Sequence, residues 1–236
     1  VRQPEHTPSR TRRLALLFPL LLAACQTAPP KPAGPSAAAL PVVNLGTGAR
    51  FLVDPRASEI RLLVYRAGPL AHFGHDHVIV GRVQGEIRAG ASAAASGFRL
   101  EIPVDSFAVD PPAARADEGG DFAEAVSAEA RAGTREHMLG SAVLDAAQYP
   151  LIRIESVALA GPRWGPTVTA RVTLRGTVRD LRFPAAVFES GDTLTVIAGF
   201  SFAQSDFGIV PYSILGGGLR VRDALEVRIR IVAHRA

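Results

Sequence analysis

The sequence predicts an all-β protein, an extended antiparallel barrel of about eight strands with a short helical insert. Three observations point to it. From about residue 50 onward, apolar and polar residues alternate with period two in run after run, the pattern of half-buried strands. Most gaps between runs are too short for the dozen or more residues that a parallel crossover needs, so neighbouring strands must run antiparallel. One interval, residues 111–147, drops the alternation and is rich in Ala, Glu and Arg.

Along the chain, the first element is a leader. Arg12 and Arg13 precede the apolar run LALLFPLLLAA, which ends in small residues before Cys25. A basic start, an apolar stretch of about ten residues and small residues before a cut describe a secretory signal peptide, here residues 1–24. The run falls short of the ~20 residues a spanning helix requires. Leu22-Ala23-Ala24-Cys25 resembles the bacterial lipobox, which implies that Cys25 is lipid-modified and anchors the chain to a membrane. Gln26, rather than Asp, follows it, and by that resemblance the expected location is the periplasmic side of the outer membrane. Cys25 is also the only cysteine, which rules out an internal disulfide. Residues 25–49 then form a Pro/Ala-rich tether without periodicity, suited to holding a domain off the membrane. Residues 1–24 carry four arginines against one glutamate, and the remainder, with 22 basic and 21 acidic residues, is nearly neutral. The formal charge of +4 therefore belongs to the leader, and no nucleic-acid partner is expected.

The folded part is expected over residues 50–236. Phe98, Leu100, Ile102 and Val104 alternate with Arg99, Glu101 and Asp105. Val168, Ala170, Val172 and Leu174 do so with Thr169, Arg171 and Thr173, and Leu225, Val227, Ile229 and Ile231 with Glu226, Arg228 and Arg230. Looser runs fall at 59–66, 82–88, 151–158, 181–188 and 193–203. Turn signals such as Gly161-Pro162 and Ser190-Gly191-Asp192 separate many of them. Closure into a barrel removes the exposed edges such a set would otherwise carry. Within the insert, Asp121 and Glu124 have capping-box spacing, and Thr134 is placed to cap a second short helix containing His137 and Met138. Asp117 and Glu118 are expected to be solvated, Trp164 to pack from a hairpin turn onto the barrel, and Gly216-Gly217-Gly218 to form a flexible turn.

No G-x-S-x-G, C-x-x-C or H-E-x-x-H stretch occurs, and neither Gly46-Thr47-Gly48 nor the triple glycine fits a nucleotide-binding loop. The chemistry-bearing residues are concentrated instead in LAHFGHDHVI, residues 70–79, which holds three of the six histidines. In extended chain, His75 and His77 share one face and offer two imidazole nitrogens to zinc or copper. His72 joins them only through a turn, and His137 only from the insert. No carboxylate or thiol stands beside them at a recognised ligand spacing, since Asp76 points the other way in a strand. The stretch is better understood as a connection at one barrel end, with Gly74 and Gly81 marking turns and the histidines at the lip of a pocket. The candidate pocket or mouth residues are His72, Phe73, His75, His77, His137 and Met138. No metal, cofactor or catalytic residue is expected. The alternatives are a metal site built on His72, His75, His77 and His137, or a structural barrel with a solid core. Period-two alternation does not separate a hollow interior from a filled one.

Four segments in register add a resemblance. FLVDPRASEIRLLV, REHMLGSAVLDAAQYPLIRIES, VTLRGTVRDLRFPAAV, and SDFGI followed by Val221-Arg222-Asp223 are together similar to the YceI family, periplasmic lipocalin-like proteins that enclose polyisoprenoid or similar amphiphilic lipids. His137, Asp145, Tyr149-Pro150, Ser156, Gly176 and Arg179 fall where that family's pattern places such residues. Gly74-His75-Asp76-His77 resembles a histidine-rich subgroup, and Gln204 stands where many members carry Arg. The resemblance implies an eight-stranded barrel around an apolar tunnel, with no obligatory metal. It also implies a non-enzymatic role in binding, storing or transporting an isoprenoid-type lipid, a fatty-acyl-type lipid or an isoprenoid quinone.

Overall fold

The computed structural model describes residues 45–236. The expected leader, the anchor Cys25 and residues 25–44 of the tether lie outside the described residues.

The described chain opens with β1 (Ala49–Val53), β2 (Glu59–Val64) and the two-residue β3 (Arg66–Ala67). β4 (His77–Arg82), β5 (Gln84–Ala89), β6 (Gly97–Pro103) and β7 (Ala108–Val109) follow. The insert holds α1 (Pro112–Glu118) and α2 (Ala128–Leu139). The second half runs through β8 (Leu151–Ala160), β9 (Thr167–Leu174), β10 (Thr177–Ser190) and β11 (Thr193–Ala203), then the short β12 (Ser213–Ile214) and β13 (Leu219–Val221), and ends on β14 (Ala224–Arg235). Among the described residues, no helix is long and apolar enough to cross a membrane.

Eight strands close a barrel in the order β1-β5-β6-β8-β9-β10-β11-β14, with β14 returning to β1, and every pairing is antiparallel. β14 pairs with β11 along one edge, from Thr193 opposite His234 to Ala203 opposite Ala224. Its other edge is shared by β1 and then β2, with Phe51 opposite Arg235 and Ile60 opposite Ile229. β1 and β2 thus occupy one strand position, interrupted by residues 54–58. At the interruption the Ser58 hydroxyl accepts from the Val232 N–H at 2.9 Å and donates to the Val232 carbonyl at 3.1 Å, replacing the missing ladder bonds. β4 and β5 divide the next position in the same way, β4 pairing with β2 and β5 with β1. β7 pairs with β4 and carries the sheet beyond the closed ring, at the end where the helical insert packs.

The alternation explains the interior. On β14, Leu225, Val227, Ile229, Ile231 and Ala233 are buried, while Glu226, Arg228 and Arg230 face solvent. The expected all-β antiparallel barrel with a helical insert is the fold observed. Particular elements differ from expectation, each for a physical reason. The run expected at 82–88 is two strands meeting at Val83, because neighbouring strands β1 and β2 are themselves broken there. Gly81 lies inside β4 rather than in a turn. A Cβ at that position would sit 2.6 Å from Cε1 of Phe107, so glycine lets that buried ring approach the strand. Neither Asp121 nor Thr134 caps a helix. Asp121 sits in a 3₁₀ turn and Thr134 within α2, whose N-cap is Ser127, its hydroxyl accepting from the Ala130 N–H at 3.1 Å. Glu118, expected to be solvated, has a side chain only 4% exposed because Arg61 and Arg228 both pair with it. Trp164, expected to pack on the barrel, is 74% exposed.

Candidate functional site: an apolar bore with a histidine-lined mouth

The barrel interior is not filled. A chamber of about 270 Å³ lies toward the end that carries β2, β4, β7 and the insert. Its walls are the inward rows of the strands, with Ile60, Ile102, Ile152, Val172, Leu181 and Val227 among them. Met138 of α2 and Leu144 after it cover the side beside β7. α2 is held there by Arg135, which donates from Nε to the Phe107 carbonyl at 3.1 Å and from Nη2 to the Asp105 carbonyl at 2.9 Å. The small sheet β12-β13-β3 stands over the mouth, contributing Ile214, Leu219, Val221 and Arg66.

Polar groups gather at this mouth. His77, the first residue of β4, lines the chamber and presents Nδ1 to Asp110 Oδ2 at 2.6 Å. The Asp110 side chain is fully buried, and its Oδ1 accepts from the Val78 N–H at 2.8 Å and from Arg115 Nη1 at 2.7 Å. Arg115, itself buried in α1, also donates to the carbonyls of Asp76 (2.8 Å) and Glu124 (2.6 Å). Asp76 precedes β4 rather than lying in a strand; it does not line the chamber, and its Oδ1 accepts the Arg66 N–H at 2.7 Å. Arg66 in turn donates to the Gly74 carbonyl. The network explains the conformation of Asp110, a non-glycine residue at φ 51°, a region that Asp tolerates better than most. Burial alone would raise the Asp110 carboxyl. The hydrogen bonds from His77 and Val78, the His77 charge and the bond from Arg115 outweigh it and hold the group below the ordinary value of 3.8. An ionised carboxylate only accepts, so the Nδ1 facing it carries the proton and Nε2 of His77 is the nitrogen left for a ligand.

The other expected site residues divide. His75 lines the chamber with its ring centroid 6.4 Å from that of His77; its Nδ1 is buried without a hydrogen-bond partner, 3.9 Å from Glu124 Oε2. His137 and Met138 also line it, from α2. His137 Nδ1 meets the Gly133 carbonyl at 2.8 Å and its ring lies 4.9 Å from that of Tyr212. His72 and Phe73 do not line the chamber. They sit in a 3₁₀ turn (Ala71–Phe73) on the outside, Phe73 being 70% exposed. Among the described residues, no group of three or more His, Cys, Asp or Glu side chains is placed to hold a metal ion. The lipid anchor expected at Cys25 falls outside the described residues. Asp110 and Arg115 were not identifiable as site residues, because the fold brings them to His77 across 33 and 38 positions of sequence. The available signal was Asp110 directly before Pro111-Pro112, a strand end with a strong stop.

Residues 51–233 match the model of the YceI-like domain, and the chain belongs to that family. None of the curated proteins matches it. Solved structures that share the fold include these two. BcnA of Burkholderia cenocepacia is 18% identical over 76% of this chain and 98% of its own, with a TM-score of 0.57. A polyisoprenoid-binding domain from Saccharophagus degradans, implicated in plant cell wall breakdown, is 16% identical over 80% of this chain and 100% of its own, with a TM-score of 0.53.

Proposed function

We propose that this protein binds, stores or transports an isoprenoid-type or other amphiphilic lipid in the bacterial cell envelope, without catalysing a reaction. The observation that carries the proposal is the shape and chemistry of the chamber: apolar walls along the bore and fixed polar groups at one mouth, the complement of a molecule with a hydrocarbon tail and a polar head. Burial of a tail contributes about 0.8 kcal/mol per CH₂, so even a modest chain supplies ample binding energy. His77, its Nδ1 proton held by Asp110, accepts at Nε2 a hydrogen bond from a hydroxyl head. The polyisoprenoid-binding relative from Saccharophagus degradans supports the ligand class. The leader and the lipobox-like Leu22-Ala23-Ala24-Cys25 support a lipid-tethered protein on the periplasmic side of the outer membrane. Solvent extraction of protein purified from its own host, followed by mass spectrometry, tests the ligand. A prenyl or acyl lipid recovered at about one per protein is expected. Extracts no richer in lipid than those of an unrelated purified protein would refute it.

A further inference from the structure

A second apolar chamber, about 300 Å³, occupies the other half of the barrel and opens beside Arg163, Trp164 and Glu189 at the β8–β9 hairpin. The two chambers are one bore interrupted at one level. Along β6, Ile102 lines the histidine-end chamber and Leu100, the next inward residue, lines the other. On β14 the change falls between Val227 and Ile229 in the same way, and Ile154 of β8 borders both. At this level the rings of Phe183 (β10) and Phe200 (β11) stack with centroids 4.3 Å apart and planes within 13°. Phe183 borders only the hairpin-end chamber and Phe200 only the histidine-end chamber. Their position follows from register. Ala185 pairs with Ala198, and the next inward residues along the same register are Phe183 and Phe200. The ladder has ended there, because Pro184 has no N–H to continue it.

We propose that the Phe183–Phe200 stack is a partition that sets the chain length the protein binds well. The inference rests on the lipid-binding function proposed above. β14 has 12 residues, and at ~3.3 Å per residue and a tilt near 40° the bore is about 30 Å long. Each half is then about 15 Å, the extended length of roughly 12 chain carbons at ~1.25 Å of advance per 1.5 Å bond. A tail of three isoprene units fills the histidine-end chamber. A longer tail must part the two rings and give up their packing before it gains the second chamber.

Equilibrium affinities of the purified full-length protein for geraniol, farnesol and geranylgeraniol test this. Affinity is expected to rise by roughly tenfold or more from two to three units, and by less than about threefold from three to four. Phe200→Ala restores a gain of roughly tenfold at the second step. Phe200→Leu and Phe183→Leu, which keep apolar bulk and serve if the alanine variant is unstable, raise that second gain above the wild-type value. Equal gains at both steps in the wild type, or a second gain unchanged in a folded variant, would overturn the partition while leaving lipid binding intact. Failure of all three alcohols to bind would overturn the lipid-binding proposal, and the partition with it.

Discussion

Asp110 ties together a histidine facing the bore, an arginine buried in the insert and the backbone of β4, so its removal has two separable consequences. Asp110→Ala leaves the Arg115 charge buried without its carboxylate, and a stability loss of about 3–5 kcal/mol is expected in urea unfolding. The acid response follows from the lowered carboxyl. A group whose folded-state value lies below its unfolded one adds stability that is complete above the unfolded value and disappears as pH falls through the folded one. The Asp110 contribution should therefore be intact at pH 6 and lost progressively below about pH 4. Asp110→Asn should reduce the difference between urea midpoints at pH 6 and pH 3, and an unchanged difference would count against the assignment. His77 answers a different question. His77→Ala is expected to weaken binding of a prenol by about tenfold, the worth of one hydrogen bond near 1.4 kcal/mol, while leaving a hydrocarbon of equal length unaffected. Equal losses for both would mean that His77 shapes the wall rather than holds the head. The sequence drew attention to His77 through its neighbours His72 and His75, yet these three have different surroundings. A 3₁₀ turn carries His72 outside, and only tertiary contact gives His77 its fixed proton.

The strands were legible where they are long and half-buried, because period two is imposed by the pleat itself. β9 and β14 lie where their alternation placed them. β3, β7, β12 and β13 are two or three residues each and too short to show a period. β1 has only five residues, with Phe51 and Val53 buried, and it is defined by pairing with β5 and β14, partners distant in sequence. The insert was visible as a loss of alternation, but its helix boundaries were not, since Asp121 and Thr134 offered capping positions while the N–H groups of α2 are met by Ser127. Gly81 carries a clear expectation within β4. Gly81→Ala forces a methyl group toward the Phe107 ring, and a loss of about 1–3 kcal/mol is expected from overpacking. A urea midpoint equal to that of the wild type would show that the ring has room to move.

The hollow interior is a property of the whole barrel that alternation alone does not convey, because the same inward rows of Val, Ile and Leu serve a packed core or a bore. What separates the two is how far the large side chains reach into the axis, and here the stacked rings of Phe183 and Phe200, on neighbouring strands, lie between two chambers, one ring bordering each. The resemblance carried by the four motif segments anticipated the tunnel, while the asymmetry of its ends, histidines at one and an exposed tryptophan at the other, emerged from the fold. Native mass spectrometry of the protein purified from its own host puts the whole account to test, since a lipid held in the bore or a metal would each appear as mass added to that of the denatured protein with its covalent anchor. The expected spectrum shows one retained prenyl or acyl lipid per protein, lost in a folded Val172→Trp variant whose indole fills the histidine-end chamber. A wild-type native mass equal to the denatured mass, or one raised by a transition metal in stoichiometric amount and no lipid, would contradict it.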